Sequence, residues 1–177
     1  MSGDTIPLAV AKRLTKRAGI ERIGERLIEV LNTIFDEQLN RLLDIVTTLA
    51  RHGKKRRLTY PIIRLAFEQL GIHHDGIRAG MGYKPSGKET IKKLQKSKQL
   101  FIAHGSFERI VRGKLARDYS EDEFDVAIVG FILPRIYIED YLIRRLIDAQ
   151  KIAERGKRKT VVGEDLELAY EMAQGNS

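Results

Sequence analysis

The chain has no cysteine, no tryptophan, only four prolines, and no uncharged apolar run approaching the roughly 18–20 residues that a membrane span needs. Without cysteine, a disulfide scaffold, a zinc ribbon and a thiol nucleophile are all excluded. The segment from Met1 to Leu8 lacks the basic-then-apolar pattern of a secretion signal, so an intracellular or virion setting is expected. What is present is ordinary for a globular protein. Of 177 residues, 42% are apolar and 32% charged, too apolar for wholesale disorder and enough for one domain or two small ones.

The charge is one-sided and unevenly spread. The total is +8, with net +5 over residues 1–72, net +5 over 73–105 and net −2 over 106–177. Clustered Lys and Arg displace condensed counterions from phosphates, so a basic front and middle point to a polyanion partner. A basic but merely solvated surface carries the same charge, and position must discriminate between the two.

An internal repeat supplies position. Residues 49–70 read LARHGKKRRLTYPIIRLAFEQL and residues 152–173 read IAERGKRKTVVGEDLELAYEMA. Each is a helix end, a glycine, a basic cluster, a short β-branched or Thr stretch, and a further apolar-periodic helix. Gly53 and Gly156 stand where a left-handed cap is expected to end a long helix, with the following cations favoured near that C-terminus. Before each unit runs a long three- and four-step pattern. The first holds Leu27, Leu31, Ile34, Phe35, Gln38, Leu39, Leu42, Leu43, Ile45, Val46 and Leu49, the second Ile128, Phe131, Ile132, Ile136, Ile138, Tyr141, Leu142, Leu146, Ile147 and Ile152. Shorter helices are predicted ahead of these, at Pro7 to Ala18, with Thr5 as cap and Pro7 in the first turn, and at Ser106 to Arg117. A helix of about 28 residues is roughly 42 Å long, too long for its own short neighbours to cover. Each short–long–short half therefore needs a partner, and the other half is the nearest one. Between them, His73 to Pro85 is a linker with three Gly and one Pro. Ser86 to Ile102 reads as a basic amphipathic helix, with Ile91, Leu94, Leu100 and Phe101 against Lys88, Lys92, Lys93, Lys96 and Lys98.

Short–long–short helices paired head to tail resemble the histone fold, and the resemblance covers nearly the whole chain. Residues 11–24 (AKRLTKRAGIERIG) look like the first helix and loop of core histone four, and GKKRRLT at 53–59 resembles its second DNA-binding loop. Residues 95–112 (QKSKQLFIAHGSFERIVR) resemble the junction of the extra helix and first helix of core histone three. EDYLI at 139–143 and GKRKTVVGEDLELA at 156–169 resemble its central helix, second loop and last helix. The chain thus resembles a fused histone doublet of the kind encoded by marseillevirus-type giant DNA viruses. Archaeal doublets are related but are expected to lack the extra helix. The implied organisation is all-α: a histone-four-like fold at 1–72, a linker at 73–85, an extra basic helix at 86–102, and a histone-three-like fold at 103–177. The two folds would join in an intrachain handshake.

The resemblance implies sequence-independent binding and wrapping of double-stranded DNA, by paired loops and by the N-termini of the first helices, with an Arg in each inward-facing minor groove. Carried onto this chain, Arg22 is the minor-groove Arg, and Lys12, Arg13, Lys16 and Arg17 lie along phosphates. Lys54, Lys55, Arg56 and Arg57 form the second loop of the first half; Lys157, Arg158, Lys159 and Thr160 form that of the second. Arg109 and Arg112, with Lys92, Lys93 and Lys96, would meet DNA where the duplex enters and leaves. The end of the second central helix and the last helix would join a second copy through Leu146, Ile147, Gln150, Ile152, Arg155, Asp165, Leu168 and Ala169. Arg155 stands where the family has a His, and it and Asp165 either pair across copies or both face solvent. The other implied partner is a doublet resembling the remaining two core histones. The implied setting is the virion and the viral factory or host nucleus.

Several residues depart from the family pattern. The first loop of the second half is acidic, SEDEFD at 120–125, where the family places a minor-groove Arg, so this loop is expected to contribute little to DNA binding. Ile62 replaces the Asp that clamps the loop Arg, whereas Arg158 and Asp165 retain that pair. Pro134 is expected to kink the second long helix. Only about six residues precede the first helix, so tail-based contacts are not expected. An enzyme, a cofactor and a metal are not expected either. His52, His73, His74 and His104 lack a nearby nucleophile, adjacent His73 and His74 read as solvated, and the Gly residues between 71 and 87 lack a phosphate-loop context. Two rival readings remain, a histone-fold interaction subunit of a transcription or assembly complex and an archaeal-type filament-forming doublet.

Overall fold

The apolar stripes of the long segments are what the fold buries. The computed structural model describes residues 5–72, 100–119, 123–126 and 132–175. Among them are six helices, α1 Leu8–Arg17, α2 Leu27–His52, α3 Tyr60–Gln69, α4 His104–Asp118, α5 Ile132–Arg155 and α6 Gly163–Gly175, so the protein is mostly helical, consistent with the all-α expectation. Four two-residue strands lie between helices: β1 Arg22–Ile23, β2 Arg57–Leu58, β3 Asp125–Val126 and β4 Thr160–Val161. They pair in parallel across the sequence, β1 with β4 (Arg22 opposite Thr160) and β2 with β3 (Arg57 opposite Asp125). One offset of 103 residues relates β1 to β3 (22 to 125), β2 to β4 (57 to 160) and the start of α3 to that of α6 (60 to 163).

Two compact units result, Thr5–Glu37 with Ile138–Ser177, and Met1–Asp4 with Gln38–Tyr137. Their boundaries fall inside α2 and α5, so the units are not the sequence segments 1–72 and 103–177. Each unit takes a first loop from one half and a second loop from the other.

In the β1–β4 unit, Leu14 of α1, Leu31 and Phe35 of α2, Leu142 and Leu146 of α5 and Leu166 of α6 are fully buried, each contributing about 1.5–3 kcal/mol of apolar transfer. Helix α1 starts after Pro7, which is its N-cap. The Ile6 N–H just ahead of it donates to Asn32 Oδ1 at 2.8 Å. The helix ends at Gly19, whose φ is +89°, with the Ile20 N–H bonded to the Thr15 carbonyl, the glycine-dependent stop of a Schellman motif. In the β2–β3 unit, Leu39 and Leu42 of α2, Phe67 of α3, and Phe107 and Ile110 of α4 form the core. Buried Lys114 donates to Asn40 Oδ1 at 2.9 Å.

The left-handed caps expected at Gly53 and Gly156 lie one residue later, at Lys54 (φ 53°) and Lys157 (φ 57°). The reason is visible in the bonding. The Gly53 and Gly156 N–H groups still bond back to Leu49 and Ile152, and the bonds from Lys55 to Ala50 and from Arg158 to Ala153 close around the lysine between. Helix α5 as described begins at Ile132, which puts Pro134 in its first turn, and residues 127–131, on which a kink would depend, lie outside the described residues. The linker 73–85 and residues 86–99 of the expected extra helix, including Lys92, Lys93 and Lys96, also lie outside the described residues.

Candidate nucleic-acid interface

In the β1–β4 unit the two loops are tied together by backbone. The Gly24 N–H donates to the Val161 carbonyl at 2.7 Å, and the Gly163 N–H to the Glu25 carbonyl at 2.8 Å. These approaches leave no room for side chains: a Cβ on Gly24 would fall 2.6 Å from Val162 Cγ1, and one on Gly163 2.8 Å from Arg26 Cβ. The consequence is chemical as well as structural. Arg22, from the first half, is held opposite Thr160, from the second, beside the exposed run Lys157–Lys159. Lys12, Arg13, Lys16 and Arg17 are all exposed on α1. Lys16 and Arg17 stand in its last turn, where cations also offset the helix dipole.

Arg158 has a different part from its neighbours. Its two terminal nitrogens reach the two oxygens of buried Asp165 at 2.9 and 2.6 Å, and Asp165 also accepts from the Val162 N–H at 2.9 Å. Arg158 above all, then the Val162 N–H, holds the Asp165 carboxyl below its ordinary range against the opposing effect of burial. The clamp read from the sequence is therefore present, and it leaves Lys157 and Lys159 as the outward cations of this loop. The equivalent residues of the other half are Lys55 and Ile62, and no such clamp can form there.

Lys54 and Lys157 were missed as conformational outliers because a glycine precedes each and reads as the natural left-handed residue. A non-glycine residue in that region costs roughly 1–2 kcal/mol. Two lysines accept this cost at equivalent positions, and such strain gathers at functional sites. Arg26 was also missed. It too is left-handed (φ 61°), and it faces Glu167 at 3.2 Å and Glu164 at 3.9 Å.

The β2–β3 unit has the same backbone pairing but a different electrostatic environment. Lys54, Lys55, Arg56 and Arg57 are exposed, but Arg57 stands opposite Asp125. Arg109 is exposed on α4. Arg112 is bonded to Glu108 at 2.9 Å and Asp125 at 3.2 Å, so its guanidinium is engaged within the chain. Residues 120–122 of the acidic loop lie outside the described residues. His104, at the start of α4, is buried, and burial followed by Arg135 pushes its pKa below the ordinary value, so it packs as a neutral imidazole near pH 7.

The expected self-association surface is only partly available. Leu146 is fully buried, Asp165 has both oxygens engaged, and Gln150 Nε2 donates to the Gly19 carbonyl at 2.9 Å. Ile147 is half-buried, while Arg155 and Leu168 are exposed. Between α5 and α6 a groove of about 460 Å³ is lined by Arg145, Lys151, Ile152, Arg155, Ala169 and Met172, among others. Met172, 56% exposed, was not among the residues expected there.

Among the described residues no group of three or more His, Asp or Glu is placed to hold a metal ion. No protein-family model matches the chain.

Proposed function

We propose that the chain is a histone doublet, a histone-four-like fold fused to a histone-three-like fold, that binds and wraps double-stranded DNA without reading its sequence. The observation that carries this is the cross-pairing of loops: each first-loop strand lies parallel to the second-loop strand of the other half, at a single sequence offset. That is the loop exchange a handshake between two short–long–short folds requires. The exposed cations of the β1–β4 unit supply the chemistry. Lys157, Lys159 and the α1 cations neutralise phosphates, releasing counterions, and Arg22 enters the minor groove. Bending then discriminates between DNA sequences only weakly, through deformability. Two chains join through the α5–α6 groove, and a doublet resembling the other two core histones completes the particle. Fusion holds the halves at an effective concentration of about the millimolar range.

Nuclease digestion of long duplex DNA loaded with the protein tests the proposal. Protected fragments of roughly 60–80 bp, growing to roughly 120–150 bp with a partner doublet, are expected from half and complete wrapping. An open-ended ladder in regular short steps replaces this reading with a filament-forming doublet. Absence of protection replaces it with a histone-fold interaction subunit, a reading favoured by the carboxylates that engage the cations of the β2–β3 unit.

A further inference from the structure

The two paired-loop sites share a backbone design and differ in charge. Residues 154–161 and 15–23, which meet at β1–β4, carry net +3 and +2. The equivalent residues 51–58 carry net +5, and the described residues 118–119 and 123–126 carry Asp118, Glu123 and Asp125, net −3. The first site is therefore positive on both strands, and the second pairs a basic segment with an acidic one.

At the β2–β3 end opposite charges are in contact. Arg51 Nε donates to Glu123 Oε1 at 2.7 Å, and Arg112 reaches Asp125 at 3.2 Å and Glu108 at 2.9 Å. The Arg51 guanidinium also lies 4.9 Å from the Tyr119 ring centroid and 5.5 Å from that of Phe124. These two rings meet edge to face at 5.2 Å. The Tyr119 hydroxyl is 2.9 Å from Thr47 Oγ1 on α2, which anchors the rings to the helix that carries Arg51. An isolated exposed ion pair contributes little by itself. Here two aromatic faces add cation–π attraction and orient the loop that brings the carboxylate.

We propose that two cations of the β2–β3 end are self-occluded: Glu123 occupies Arg51, and Glu108 with Asp125 occupies Arg112, in the place of phosphates, so that DNA gains these two contacts only by displacing the carboxylates. This rests on the DNA-binding reading above. The physical ground is counterion release. The phosphate that replaces a carboxylate releases a condensed cation from the DNA, but the displaced carboxylate again attracts cations from solution, so the exchange adds little affinity and little salt dependence.

The test is equilibrium binding to random-sequence duplex DNA across a salt series, comparing the wild type with Glu123→Gln/Asp125→Asn. A control with the same charge change, Glu37→Gln/Glu171→Gln, alters exposed carboxylates on α2 and α6. Release of Arg51, with Arg112 still held by Glu108, is expected to tighten binding by about two- to fivefold and to steepen the slope of log K against log salt by about 1. The control is expected to stay near the wild type. Equal gains in the control, or an unchanged slope in the loop variant, overturn the proposal while leaving the DNA-binding reading intact. A wild type that does not bind DNA overturns both. Glu123→Gln alone, with Asp125 retained, repeats the measurement should the double variant melt early, and its expected gain in slope is also about 1, because Arg51 is the cation it releases.

Discussion

Replacing Asp165 is the most discriminating perturbation of the loop architecture. Its carboxylate is 4% exposed and accepts three hydrogen bonds, two from Arg158 and one from the Val162 N–H at the start of α6. The Val162 bond is the reciprocal half of a capping box, with a carboxylate in the first turn where the helix dipole favours it. Loss of that cap costs about 1 kcal/mol. The Arg158 bonds add to this, less than in a fully buried pair because the Arg158 side chain is 45% exposed. Asp165→Ala is therefore expected to destabilise by about 2–3 kcal/mol, a drop of roughly 5–10 °C in Tm for a chain of this size. Asp165→Asn keeps an acceptor and loses the charge, so a smaller drop is expected. The pH dependence follows in sign. The folded carboxyl titrates below its unfolded value of 3.8, so its contribution is complete above that value and is lost as pH falls through the lower folded one. Thermal melts of the three proteins at pH 7 and at progressively lower pH measure this. The gap between wild type and Asp165→Asn is expected to close on acidification. A gap of less than 1 °C at pH 7, or one that widens as pH falls, refutes the clamp.

Three further outcomes are expected. Lys157→Gly relieves a left-handed lysine and should raise stability by about 0.5–1 kcal/mol. The same change should weaken DNA binding, with a salt slope shallower by about 1; a variant that loses stability contradicts the account of the cap. Gly24→Ala puts a Cβ 2.6 Å from Val162 Cγ1 and 2.9 Å from the Val161 carbonyl oxygen. It should cost about 1–3 kcal/mol in denaturant melts by forcing β1 from β4. Leu168→Glu with Met172→Glu alters side chains that are 45% and 56% exposed. Sedimentation should show self-association lost while melting changes by less than about 1 kcal/mol; unchanged assembly excludes the α5–α6 face.

The helices were legible because they are written locally. The stripe from Leu27 to Leu49 at three- and four-residue spacing lies within α2, Leu27–His52. The expected helix from Ser106 to Arg117 lies within α4, His104–Asp118. The cation clusters at 54–57 and 157–159 were legible too, because consecutive charges next to a helix end have few places to go but outward. Residues whose roles depend on a distant segment were harder to read. Gln150 was expected in the contact with a second copy, but its amide serves the carbonyl of Gly19, 131 positions away. Gly24 had no feature in its own neighbourhood to mark it, because the atoms that exclude a side chain there belong to Val161 and Val162.

Amino-acid order alone was enough for the repeat, the helical class and the sign of each loop, since periodicity and charge are properties of neighbours along the chain. Which loop meets which was settled in three dimensions, where a two-residue strand gains its hydrogen-bonding partner from the other half of the molecule. The fate of each cation was settled there as well. Arg51 is indistinguishable from Lys159 by charge, yet it faces Glu123, 72 positions away. Such pairing depends on distances of about 3 Å between residues far apart in sequence, and only packing brings them together.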